Sequence, residues 1–250
     1  MSSSLPTFLH YWVFRHYFVW AKNIVRHQTD VIMLTHLILY FTTLVPSAGL
    51  LFYHFSYIHA ILHFAMQLYY MGTYSLMMHQ HIHMGGILAK ASGLGIIDTF
   101  FPYIIDPLMG HTWNTYYYHH VKHHHAENNG PDDLSSTMTY QRDNLVHFLY
   151  YVGRFVFFIW LELPLYFLKK RRRAAALKVA LWELSDYVVL YVFFLQNRKA
   201  TLFVFLLPLL LLRLGLMVGN WGQHAFVDED EPGSDFRSSI TLIDVSVRIL

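Results

Sequence analysis

The chain alternates between long runs without a charge and short stretches crowded with polar residues. Residues 31–53, VIMLTHLILYFTTLVPSAGLLFY, contain no Asp, Glu, Lys or Arg. Coiled as a helix, this run spans about 34 Å, enough to cross a hydrocarbon layer of about 30 Å. Residues 57–78 form a second charge-free run of similar length. Residues 201–219 form a third, with Arg213 inside it, and residues 179–195 a weaker fourth, with Glu183 and Asp186 near its start. Residues 145–168 are also long and apolar but hold Arg154, Glu162 and Pro164. No period-2 alternation recurs, so strands are not expected. The pattern predicts an all-α integral membrane protein with about four transmembrane helices and further helices lying in the interface.

Charge sets the expected orientation, because Lys and Arg concentrate on the cytosolic side of membrane proteins. Residues 1–30 carry Trp12, Arg15, Trp20, Lys22 and Arg26 among many aromatics and read as an N-terminal interfacial helix. Residues 31–250 read as one membrane domain. The stretch 46–55 has no Lys or Arg and suits an outer turn. The second run then returns to the cytosol, so the polar segment from His79 onward faces that side. The run KKRRR at 169–173 also belongs there, against anionic lipid headgroups. If residues 145–168 crossed fully, KKRRR would lie outside. That segment is therefore expected along the cytosolic interface, with 179–195 running out and 201–219 returning. Residues 93–109 read as a re-entrant or interfacial helix, and DEDEPGSD at 228–235 as a solvated turn.

Composition agrees with a membrane location. Hydrophobic residues make up 55%, charged residues only 14%, and mean hydropathy is +0.32, whereas soluble domains are about a quarter charged. The absence of cysteine removes disulfides, thiolate metal ligands and Cys nucleophiles from consideration. A net charge of +2 gives no general basic field for a nucleic-acid partner. The first apolar run starts at residue 31 and is too long for the core of a cleavable signal peptide.

The chemistry is concentrated in 18 histidines, and their placement matters more than their number. His79, His81 and His83 stand where the second run ends. On a helix His79 and His83 lie about 40° apart and one turn along, a spacing that aims two imidazoles at one metal or at adjacent metals. His81 points elsewhere and reads as a non-ligand. The second cluster is His119, His120, His123, His124 and His125; His120 pairs by helical spacing with His123 and with His124. His124 and His125 point about 100° apart and could serve two metal ions. The third element follows the last run, where Asn220 and His224 again stand four apart. A helical bundle would bring all three elements to one place. Neutral imidazole suits iron, zinc and copper, and bound metal would hold so many rings neutral and together. Glu127, Asn128, Asp132 and Asp133 are the nearest carboxylate and amide partners that could fix the ring tautomers. The remaining histidines His10, His16, His27, His36, His54, His59, His63 and His147 read as packed or interfacial.

These motifs resemble the membrane fatty acid desaturase and hydroxylase superfamily. HQHIH at 79–83 is similar to its first histidine box, H-x(3–4)-H. HVKHHH at 120–125 is similar to its second, H-x(2–3)-H-H, readable as His120, His123, His124 or as His120, His124, His125. Asn220–His224 is similar to an N-x-x-x-H element that follows the fourth span in acyl-CoA desaturases. The resemblance implies a centre of two non-haem iron ions held by His79, His83, His120, His123, His124, His125 and His224, with Asn220 bound directly or through water. It implies O2 as co-substrate, a lipid or acyl-CoA substrate, and electrons from cytochrome b5 or a ferredoxin. It implies an endoplasmic-reticulum location with the histidines facing the cytosol. The expected reaction is desaturation of an acyl chain, with hydroxylation and a non-enzymatic histidine-rich metal-binding protein or transporter as the alternatives. The family's further H-x-x-H-H box has no counterpart after His224. The centre is accordingly expected to be C-terminally incomplete, holding one iron well and a second poorly.

Overall fold

The computed structural model describes residues 7–89, 93–127 and 129–224, with side chains from residue 12 onward. The expectations for residues 1–6, for Asn128 and for the turn at 228–235 lie outside the described residues. The described chain is helical: α1 (Thr7–Ile24), α2 (Gln28–Tyr53), α3 (Tyr57–Met84), α4 (Gly95–Leu108), α5, α6 (Leu145–Lys169), α7 (Arg173–Gln196) and α8 (Arg198–His224). Helix α5 starts at Thr115–His119, widens into a π-turn at His120–His124 and closes at His125–Glu127. No strand occurs among the described residues, and an isolated bridge joins Val25 to Leu88.

Four helices are long and apolar enough to cross a membrane: α2, α6, α7 and α8. The number matches the hydropathy pattern; the membership does not. Residues 57–78 become the longer α3, whose His59, His63, Gln67 and terminal histidines dilute its hydropathy. Residues 145–168 become α6, which qualifies because Arg154 and Glu162 are its only charges before Lys169; these two also bond each other through Arg154 Nε at 2.9 and 3.0 Å.

The chain divides into two compact units, residues 1–113 with 190–208, and residues 114–189 with 209–250. In the first unit, buried side-chain donors find backbone and carboxylate acceptors, although Gln67 Oε1 has no hydrogen-bond partner. Gln67 is fully buried on α3 and donates from Nε2 to the carbonyls of Leu108 (2.6 Å) and Val204 (2.8 Å). Val204 lies in a π-turn, Leu202–Leu206, where wider winding disturbs the helical ladder. Tyr74 donates to Asp106 at 2.6 Å, and Tyr40 stacks edge-on against both Tyr70 and Tyr74. Phe52 closes the far end against Phe193 and Phe205.

In the second unit α6 is the organising element. Asn144 caps its start by accepting from the N–H groups of Val146 and His147. Tyr151, Phe155, Ile159, Leu163 and Tyr166 recur at three or four residues and form its buried stripe. Tyr150, Phe157 and Leu168 fall within about 20° of one another on the opposite side and are 67%, 67% and 49% exposed. The buried stripe follows the histidine-bearing chain along much of the helix. Tyr151 donates to the Ser135 carbonyl at 3.2 Å, and the Phe155 ring meets His119 at 5.2 Å. The Tyr166 ring meets His123 at 4.4 Å, and Lys169 reaches Asp132 at 2.7 Å. A transmembrane α6 would drag this polar chain into hydrocarbon, so α6 is expected to lie along the interface. The chain has no cysteine to interfere with labelling. Nitroxides placed by Tyr150→Cys, Phe157→Cys and Leu168→Cys should report one shallow depth by collisional quenching. A depth that passes through the bilayer centre between residues 150 and 168 would show that α6 crosses.

Candidate metal centre

The first histidine pair is built by the end of α3. One helical turn separates His79 from His83, and their rings lie 4.7 Å apart between centroids. Each offers a nitrogen within 4.8 Å of the other's. His81, between them, turns away as expected: its Nε2 lies 3.0 Å from the Asp98 carbonyl and its ring meets Phe101 edge-on. The helix stops at Gly85, which adopts φ +69° and returns its N–H to the His81 carbonyl. Gly86 follows at φ +120°, where a Cβ would stand 2.6 Å from Asp98 Oδ2. The Asp98 carboxylate needs that approach, because it accepts from the N–H groups of Ile87 (3.2 Å) and Leu88 (2.9 Å). The same loop is stitched to the end of α1: Arg26 N–H donates to Ile87 O and Ala89 N–H to Ile24 O. Gln80 donates to the buried Asp30 at 2.8 Å. Box one therefore sits on a helix end fixed from two sides.

The second cluster depends on the π-turn. Wider winding brings residues five apart into register, so His120 meets His125 with 3.0 Å between the two Nε2 atoms. α-Helical spacing had paired His120 with His123 and His124 instead. His120 still lies beside His124, at 5.9 Å between ring centroids. His124 places Nδ1 2.7 Å from Asp133 Oδ2, which fixes the proton on Nδ1 and leaves Nε2 as the donor nitrogen. Asp133 is buried and also accepts from the N–H groups of Asn129 (3.0 Å) and Ser135 (2.8 Å). Burial alone would raise its pKa. The hydrogen bonds from His124 and from the Ser135 N–H outweigh burial and hold the carboxyl below its usual range.

His123 is fully buried, and its Nε2 accepts the Leu134 N–H at 3.0 Å. Its Nδ1 is enclosed with no hydrogen-bond partner. Of the two readings of the box, His120, His124, His125 leaves this backbone bond intact; the reading through His123 requires Nδ1 or costs the Leu134 bond. His119 pairs with Ser135 Oγ at 2.9 Å. Burial, then the neighbouring imidazoles of His123 and His124, push His119 down to about 3. Burial pushes His123 down as well, against the pull of Asp133. These two rings are thus neutral at physiological pH.

The last helix delivers the third element. The His224 ring stands 5.8 Å from that of His124 at 79°. Asn220 donates from Nδ2 to the Ser135 carbonyl (2.9 Å) and to Tyr151 OH (2.7 Å), which leaves its Oδ1 as an acceptor. Thr137 Oγ1 bonds the His224 carbonyl at 3.2 Å. The second unit thus gathers His120, His124, His125, His224 and Asn220 around one loop.

Two expected partners serve otherwise. Asp132 bonds Lys169 (2.7 Å) and Lys170 (3.0 Å), and Glu127 bonds Lys170 (2.8 Å) and Tyr166 (2.5 Å). These carboxylates tie the loop to the end of α6 instead of orienting imidazoles, and they occupy two lysines of KKRRR. Sequence reasoning did not find Ser135, Tyr151, Tyr166 or Asp98. The tyrosines were discoverable, since both fall on the periodic face of α6; Ser135 and Asp98 act through local chain geometry and leave no periodic signal. The isolated pair His59 and His63 is explained by Ser47, whose Oγ lies 2.9 Å from a ring nitrogen of each.

Residues 57–246 match the fatty acid desaturase family. The chain belongs to that family. The match spans both histidine boxes and the Asn220–His224 element, and it brings lipid desaturation and related oxygen-dependent oxidation as the family's chemistry. No curated protein and no solved structure matches the chain. The donors present fit the metal chemistry of the family: imidazoles, one amide oxygen, a buried carboxylate behind the His124 ring and no thiolate. Asp133→Asn, which weakens the acceptor behind His124, should lower iron affinity about 10–100-fold while helicity by circular dichroism is kept. An unchanged metal titration would show that Asp133 does not orient the ligand.

Proposed function

We propose that the protein is a non-haem di-iron, O2-dependent oxidase that desaturates a lipid acyl chain. The observation that carries this reading is the His124–Asp133 pair, a ligand ring backed by a buried carboxylate inside the histidine segment that the family match covers. His79, His83, His120, His124, His125 and His224 would hold the two irons, with Asn220 bound directly or through water. His123 keeps its bond to the Leu134 N–H and supports the turn from beneath.

Bound iron supplies the power to remove hydrogen from an unactivated C–H bond, which no side chain has. The chain's own residues do the rest. Asp133 keeps the proton of His124 on Nδ1, so that Nε2 presents its lone pair outward. Burial keeps His119 and His123, which pack behind the ligand rings, unprotonated. Asn220, Ser135 and Tyr151 lock the end of α8 to the loop, so that His224 approaches in a fixed orientation. The apolar helices would seat the acyl chain, and cytochrome b5 or a ferredoxin would deliver electrons from the cytosolic side of the endoplasmic reticulum.

The test is metal analysis of the purified full chain. Iron should be retained in preference to zinc, at about one to two ions per chain. His120→Ala or His124→Ala should release most of it, whereas His36→Ala should keep it. Iron lost equally from all three, or no iron after reconstitution, would remove the basis of the reading.

A further inference from the structure

The second unit contains a group of buried charges that the metal centre does not use. Glu183 and Asp186 stand three residues apart on α7 and therefore share a face. Glu183 is 0% exposed and Asp186 2%. Arg213 on α8 donates to Glu183 Oε1 at 2.5 Å, to Tyr187 OH at 2.9 Å and to the Val156 carbonyl of α6 at 3.2 Å. Tyr187 donates in turn to Glu183 Oε1.

Two features of this group are unexplained by its internal bonds. Glu183 Oε2 and Asp186 Oδ1 are closed off from solvent and receive no hydrogen bond. Asp186, moreover, forms no ion pair among the described residues. The charges also do not balance, since two carboxylates face one guanidinium. Both helices are long and apolar enough to cross the membrane, so water cannot compensate the surplus negative charge, and an uncompensated buried charge is strongly unfavourable. Among the described residues, neighbouring elements offer no second cation: α6 contributes a backbone carbonyl, and Lys178 of α7 points to the exposed side. Arg213 precedes Asn220 by two turns on the same face of α8, which places the group about 10 Å along the helix from the metal-binding end.

We propose that Glu183, Asp186, Tyr187 and Arg213 form a binding site for one monovalent cation, a proton or an alkali ion, that completes this charge balance. The two orphaned carboxylate oxygens are its ligands. Arg213 and Tyr187 hold the other side of Glu183 and keep it in place. The site is independent of iron and of the reaction proposed above.

The experiment uses the purified full chain in nanodiscs, with Asp186→Asn as an isosteric variant lacking the surplus charge. Thermal unfolding is followed in sodium, potassium and choline chloride at equal ionic strength, and the carboxyl stretch is recorded by difference infrared spectroscopy. An alkali ion as occupant predicts a higher Tm in sodium or potassium than in choline, lost in Asp186→Asn. A proton as occupant predicts no such dependence and a protonated-carboxyl band that shifts in deuterated water and is missing from Asp186→Asn. Should that variant fail to fold, Glu183→Gln serves the same comparison, since it also removes one of the two negative charges. Wild-type protein with no cation dependence and no carboxyl band that either variant removes would overturn the proposal.

Discussion

The candidate centre depends on one buried carboxylate. Asp133 receives the imidazole of His124 and two backbone N–H groups, and it does so inside a loop that water scarcely enters. An ionised carboxylate at such a place is costly unless every bond it makes is kept. The bond to His124 is therefore both a support for the charge and a constraint on the ring. Remove the carboxylate and His124 loses its tautomer, while the Asn129–Ser135 turn loses the acceptor around which it is wound. The ligand geometry and the local fold are the same set of hydrogen bonds.

The rest of the second unit protects that arrangement. Helix α6 backs the loop with Phe155 against His119 and Tyr166 against His123, and ion pairs from Lys169 and Lys170 close the end. The exposed pairs contribute little energy individually; their role is to fix where the loop begins and ends. Helix α8 adds Asn220, which bonds Ser135 and Tyr151 at once and so joins three elements at one residue. Donor groups held by packed helices on several sides are more rigid than donors carried on a surface loop, as the proposed metal site would require.

Much of this was legible in the chain. Charge-free runs marked the helices, i, i+4 spacing singled out His79 with His83 and Asn220 with His224, and His81 was separable from its neighbours by angle alone. Three features were not legible, each for a physical reason. The π-turn changes the register within HVKHHH, so that His125 rather than His123 meets His120; hydrophobic periodicity carries no signal for five residues of altered winding. Asp132 and Asp133 are adjacent and chemically identical, and the turn alone decides which faces His124 and which faces the lysines. Helices α3 and α6 exchange places in hydropathy because α3 carries His59, His63, Gln67 and its terminal histidines inside a long apolar helix, whereas α6 holds only Arg154 and Glu162 among charges before Lys169.

The central claim is that neutral imidazoles, oriented by Asp133 and its loop, are the groups that grip the metal. X-ray absorption at the iron edge of the loaded full chain tests it most directly. The account predicts a first shell of nitrogen and oxygen only, with the outer-shell scattering of several imidazole rings. A shell of oxygen alone, without imidazole scattering, would contradict it.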